Sequence, residues 1–197
     1  MYFYIFFVMY LASSFSNGLL FSSNPLNENN ELIDAASSGL KSVFSKNTTD
    51  PKGMKYEEFA NILKEFDWLY EIPPDGVKLL FSKIVGNLNG FMNLDQFKKL
   101  ATYCIIHYEE NIEKHFTTIT KNKKKMNFEE LKKALEPINF PYPDENLIIL
   151  MYYFEREGAE VISMKAFRNI FAFIFHERYK KLKQENCENE STVDCEV

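Results

Sequence analysis

The sequence predicts an all-α fold: four helix–loop–helix units in two halves, with a long helix between them. Three observations predict it. Apolar residues recur at Met54, Met92, Met126 and Ile162, spaced 38, 34 and 36 residues apart, and each stands five before Phe59, Phe97, Leu131 or Phe167. Each such segment is flanked by sequence with apolar residues at helical steps. From Leu94 to Ile119 the steps of three and four run on without Gly or Pro, through Phe97, Leu100, Ala101, Cys104, Ile105, Tyr108, Ile112 and Phe116. That stretch is one helix.

In chain order, residues 1–18 come first and carry no charged side chain. Tyr2 to Leu11 is apolar and aromatic, and small residues follow to Gly18. The run is roughly 10 to 12 residues, short of the ~18 to 20 that cross a bilayer, and has the layout of a secretory signal. Cleavage is expected after Ser16 or Gly18, which makes the protein secreted. Residues 19–31 are expected as a flexible N-terminal segment. The first lobe spans 32–106 and the second 107–184. Pro73-Pro74 and the stretch Pro137 to Pro143 divide the units within each lobe, because proline interrupts helices. Residues 185–197 form an acidic tail.

Charge supports this division. The chain of 197 residues has 28 acidic and 23 basic side chains, a net charge of −5. Glu185, Glu188, Glu190, Asp194 and Glu196 supply that excess, so the body is neutral. A neutral body argues against a nucleic-acid partner. Three cysteines in a chain this long exclude a disulfide scaffold, and 46% hydrophobic residues exclude intrinsic disorder. Cys104 sits at an apolar helical position, as a buried thiol does. Cys187 and Cys195, both in the tail, can close a small loop in an oxidising compartment. Asn47-Thr48-Thr49 and Asn189-Glu190-Ser191 are glycosylation triplets, with Asn47 and Asn189 as acceptors.

On these repeated positions, from Leu32 to Leu182, the chain resembles the EF-hand family in its four-unit, two-lobe, calmodulin-like layout. The resemblance implies that Met54 pairs with Met92, and Met126 with Ile162, in short antiparallel bridges between neighbouring loops. It also implies loops able to hold calcium, which need oxygen ligands at positions 1, 3, 5, 9 and 12 and Gly at 6. The loops depart from that pattern. The second, Val85 to Gln96, keeps Asn87, Asn89, Gly90 and Asn93 but offers no carboxylate at a ligand position. The fourth, Glu155 to Ala166, has Glu160 at the glycine position and Ala166 at the twelfth. The third, Thr120 to Glu130 after a helix ending at Ile119, is one residue short and carries Lys121, Lys123, Lys124 and Lys125, which repel a cation. The first, Ser45 to Glu58 after a helix ending at Phe44, is two residues long and retains Asp50 and Glu58. No cofactor is expected. At most, the second loop holds calcium weakly through Asn87, Asn89 and Asn93.

The last helix is unusually aromatic, with Phe167, Phe171, Phe173 and Phe175. Phe171 to Phe175 is apolar around most of its circumference, as in a helix covered on more than one side. Phe171, Phe173 and Phe175 are therefore candidates for contact with a partner, beside the plainer reading of them as the core of the fourth unit. The basic residues at Lys121 to Lys125 and Arg178 to Lys183 read as solvated helix ends, so a membrane surface is not expected as a partner. His107 and His115 are eight apart and lack the four-residue spacing of a helical metal pair. No nucleophile motif or phosphate-cradling glycine loop stands out, so no enzyme is expected. The expected function is binding of a protein or peptide through apolar surface, without calcium. The alternatives are a secreted calcium-binding protein with one weak site and a carrier of a small apolar ligand.

Overall fold

The computed structural model describes residues 19–21, 23–64 and 73–189. Among them are seven α-helices and one two-stranded sheet: α1 (Asp34–Asn47), α2 (Tyr56–Lys64), α3 (Pro74–Val85), α4 (Leu94–Ile119), β1 (Lys125–Asn127), α5 (Phe128–Leu135), α6 (Asp144–Phe154), β2 (Val161–Ser163) and α7 (Met164–Asn189). The fold is mainly helical. The chain divides into two compact units, Met1–Ile112 and Glu113–Val197, so the division falls within α4 rather than at 106/107. The leader at 1–18, Ser191 and Cys195 lie outside the described residues.

Helix boundaries follow local chemistry. Pro73 and Pro74 open α3, where a missing N–H leaves no helical bond unmade. Gly86 ends α3 in the left-handed region (φ 98°), its N–H donating to the Ser82 carbonyl. Asn127 caps α5: its side chain accepts the Glu130 N–H, and the Glu130 carboxylate accepts the Asn127 N–H. This reciprocal box satisfies two donors that a bare helix start leaves open. Asn93 and Gln96 make the same box at the start of α4, at 2.9 Å in each direction. The helix from Leu94 to Ile119 has the bounds its periodicity predicts. By contrast α1 continues to Asn47, three residues past the expected end at Phe44, and α7 runs to Asn189, five residues into the expected tail.

In the first unit, Phe59, Phe81 and Phe97 are fully buried. The Phe59 ring lies 6.3 Å from each of the other two, and Phe97 lies 5.5 Å from Phe44. Met54 and Met92 form the expected antiparallel bridge, with N–H to carbonyl distances of 2.9 and 2.8 Å. Part of the segment 19–31, expected to be flexible, is packed. Leu19, Leu20 and Phe21 are buried, and Leu26 bridges Leu32 around a turn in which the Asn27 side chain accepts the N–H groups of Asn29 and Glu31. Three consecutive large apolar residues lose too much by staying in water for that segment to remain detached.

In the second unit, β1 and β2 pair antiparallel in the register Lys125↔Ser163, Met126↔Ile162 and Asn127↔Val161. Met126 and Ile162 are fully buried beneath the ribbon. Phe116, Phe167 and Phe171 stack in series, with ring centroids 5.5 and 5.6 Å apart. Such tilted aromatic pairs add to the stabilisation that area burial gives.

Gly53 is a tight point of the first unit. Its φ is +133°, and a Cβ there would stand 2.5 Å from the Met92 carbonyl oxygen that accepts the Met54 N–H. Gly86 shares a positive φ but has open space around it. Gly86→Ala is therefore expected to cost about 1–2 kcal/mol of backbone strain. Gly53→Ala should cost distinctly more, because the bridge must also open. Parallel denaturant titrations of the two variants check the ranking; equal losses would show that the bridge tolerates the shift.

Candidate functional site

The four loops are the chemically distinctive part of the molecule, and each is closed by the chain's own groups. In the first loop the closing group is Glu58, in the first turn of α2. One carboxylate oxygen accepts the Thr49 N–H at 2.9 Å and the Thr49 hydroxyl at 2.5 Å; the other accepts the Lys55 N–H at 2.7 Å. Partial burial opposes the charge on Glu58, but the bonds from Thr49 and Lys55 outweigh it and lower the pKa. Asp50 accepts the Lys52 N–H at 2.9 Å and lies 3.7 Å from the Lys55 ammonium. Asn47 is exposed at the end of α1, and its side-chain nitrogen, the atom a glycan would use, donates to the Val43 carbonyl at 2.8 Å.

The second loop is closed by an amide. Gln96 donates from its side-chain nitrogen to the Ile84 carbonyl at 3.1 Å, across the two ends of the loop. Its oxygen serves the α4 cap already described. Asn87, Asn89 and Asn93 lie exposed on this one loop, but the Asn93 oxygen is committed to the Gln96 N–H. A cation here would have to compete for that oxygen and would meet only neutral dipoles.

In the second unit the closing groups are lysines. In the third loop the Lys123 ammonium is 2.8 Å from Glu130. Glu130 is held below its usual pKa first by Lys123 and then by the Asn127 N–H. The turn before it places Lys121 and Asn122 at positive φ, 52° and 65°. Thr120 is fully buried there, its hydroxyl bonded to the Phe116 and Lys123 carbonyls. In the fourth loop one Glu155 oxygen holds the Lys125 ammonium, and the other accepts the Ser163 N–H at 2.9 Å and its hydroxyl at 2.6 Å. Lys125 belongs to β1 and pairs in register with Ser163 of β2. The ion pair therefore ties the third loop to the fourth. Burial disfavours the Glu155 charge, yet Lys125 and Ser163 together pull its pKa down to about 2. A positive charge and two fixed donors thus satisfy the Glu155 carboxylate. Among the described residues no group of three or more His, Cys, Asp or Glu is arranged to hold a metal ion.

The other expected residues fall as follows. Phe171, Phe173 and Phe175 are buried, at 2%, 6% and 4% exposure. None presents its ring to solvent, so their placement fits core rather than a docking face. Cys104 is buried, as expected. The backbone of Cys187 and Asn189 lies in α7. The His115 ring nitrogen is 2.8 Å from the Ala134 carbonyl, and the ring packs 6.3 Å from Phe167, so it serves the core. His107 lies 3.8 Å from Glu110. Among the described residues, no helix is long and apolar enough to cross a membrane.

Two features escape sequence reasoning. The lysine run reads as repulsion toward a cation, whereas two of its members neutralise Glu130 and Glu155. Their alternation along β1 and its approach was the available signal. The eight-residue apolar run Leu147 to Phe154 shows no polar face in the sequence, yet Ile148, Ile149, Tyr152 and Tyr153 of α6 are exposed. The second unit also contains a cleft of about 350 Å³, lined by Leu135, Phe140, Tyr142, Leu147 and Ile174 among others. There burial, reinforced by the charge of Glu177, pushes the Tyr142 pKa up to about 12.

No protein-family model matches the chain, and no curated protein matches it. Among solved structures the chain is similar to a chain described as "Chaetomium theromophilum TREX2 CID domain complex". The two are 15% identical, the match covers 76% of this chain and 96% of that one, and the TM-score is 0.35. That score is below the level at which two chains share a fold.

The Glu155 tie has a defined acid sensitivity. Its folded pKa of about 2 lies below the ordinary 4.5, so the stabilisation is present above pH 4.5. It is lost as pH falls from 4.5 toward about 2. Glu155→Gln should be less stable than the parent at neutral pH and should lack this part of the acid-induced loss. Thermal melts between neutral pH and pH 2 check this. An unchanged slope in the variant would place the acid sensitivity elsewhere.

Proposed function

We propose that the chain is a secreted, non-enzymatic EF-hand-like protein whose loops work without calcium and whose apolar surface binds a protein partner. The observation that carries this reading is the tie between Lys125, Glu155 and Ser163, which satisfies a loop carboxylate with an ammonium from the neighbouring loop. Lys123 on Glu130, Gln96 on Ile84 and Thr49 on Glu58 extend the same principle to the other three loops. A cation entering any of them must first displace a group that is covalently part of the chain. The two antiparallel pairings, Met54 with Met92 and Met126 with Ile162, support the EF-hand likeness and a two-lobe arrangement of paired units. Residues 1–18, with their apolar run and small-residue end, support secretion. The core placement of His115 and the neutral body support a binding role rather than catalysis or nucleic-acid recognition.

The surface best suited to a protein partner is the outer face of α6, not Phe171, Phe173 and Phe175. Exposed aromatic and aliphatic side chains gathered on one helix mark interaction sites more often than scattered ones do. A second reading, a carrier of a small apolar ligand, is favoured by the cleft beside Leu135, Phe140 and Ile174. Lipid or another apolar molecule co-purifying with the chain, seen by native mass spectrometry, would favour the carrier.

Calorimetric titration of the mature chain with millimolar calcium should give no binding heat, and calcium should leave the melting temperature where it is. Saturable heat, or a melting temperature that rises with calcium, would overturn the metal-free reading. It would return attention to Asn87, Asn89 and Asn93.

A further inference from the structure

Helix α6 is apolar on two faces. Leu147, Leu150 and Met151 are buried in the second unit. Ile148, Ile149, Tyr152 and Tyr153 are 37%, 44%, 41% and 45% exposed. At 3.6 residues per turn these four fall in a single stripe roughly 140° wide, in which Ile148 neighbours Tyr152 and Ile149 neighbours Tyr153. Glu145 continues the stripe at the helix start, and Arg156 follows just beyond its end; both are exposed. A helix apolar on both sides is normally covered on both.

We propose that this face binds a second copy of the chain, the two α6 helices lying antiparallel about a two-fold axis between Leu150 and Met151. In a two-fold contact each pairing occurs twice. This axis sets Ile148 against Tyr152 of the second copy and Ile149 against its Tyr153, so each exposed aliphatic side chain of the face meets an aromatic ring. It also sets Glu145 against Arg156 of the second copy, closing both ends of the contact with opposite charges. A parallel pairing would instead bring the two Glu145 side chains together, which is unfavourable. The four side chains offer roughly 300 Å² per copy, against about 800 Å² per partner in a stable standard interface. The dimer is therefore weak and concentration-dependent. The inference rests on reading this face as a protein-binding surface, and not on the state of the loops.

Sedimentation velocity of the full mature chain from micromolar to millimolar concentration, with and without calcium, tests it. The weight-average mass should climb from monomer toward twice that value, equally in both conditions. Ile149→Glu should weaken association at least tenfold. Glu145→Arg and Arg156→Glu should each weaken it several-fold. The double variant E145R/R156E should recover it. Both charged positions are exposed, so these variants keep the parent fold, and melting curves verify that. A monomer at every concentration overturns the proposal and leaves the face to a different protein. Association that survives Ile149→Glu, or that the double swap fails to recover, overturns the antiparallel α6 geometry. Calcium-dependent association would instead count against the metal-free loops, which separates the two failures.

Discussion

The antiparallel pairing of Met126 with Ile162 is the constraint on which the second unit depends. It fixes which side chains of the two loops face each other, and so it decides that Lys125 stands beside Ser163 within reach of Glu155. A slip of one residue would turn Lys125 toward the core and bury an unpaired ammonium, which is far more costly than leaving it in water. Ribbon and ion pair thus reinforce each other. The hydrophobic pair sets the register, and the charge pair penalises any other.

The first unit solves the same problem mainly with uncharged donors. Gln96 spans the ends of its loop with one amide, donating to Ile84 and accepting from Asn93. Glu58 gathers three donors from its own loop. These bonds are local and need no partner loop. The two units share a hydrophobic plan while differing in how they close: the first by backbone donors and an amide, the second by lysine ammonium groups.

Much of this plan was legible in the amino-acid order. The spacing of Met54, Met92, Met126 and Ile162 marks the positions that pair, because one buried residue per loop is a requirement independent of what the loop binds. The long helix from Leu94 to Ile119 is equally plain, since nothing in it breaks the helical step. Less legible were features that depend on three-dimensional register. Lys123 and Lys125 read as a repulsive run until the ribbon shows which carboxylate each one meets. Leu19 to Phe21 read as part of a flexible segment because no periodicity identifies three residues as packed. The aromatic residues of α7 drew attention as a docking surface, but composition cannot tell a buried ring from an exposed one. On α6 the same ambiguity ran the other way.

The lysine closing the fourth loop also changes what the loop responds to. A dissociable cation leaves when its concentration falls, so a loop closed by one reports the ion content of its surroundings. The Lys125 ammonium is tethered to its own backbone, and its effective concentration at Glu155 is set by that tether rather than by the medium. Dilution does not remove it. The tie therefore lasts as long as the ribbon keeps its register, whatever the concentration of the chain.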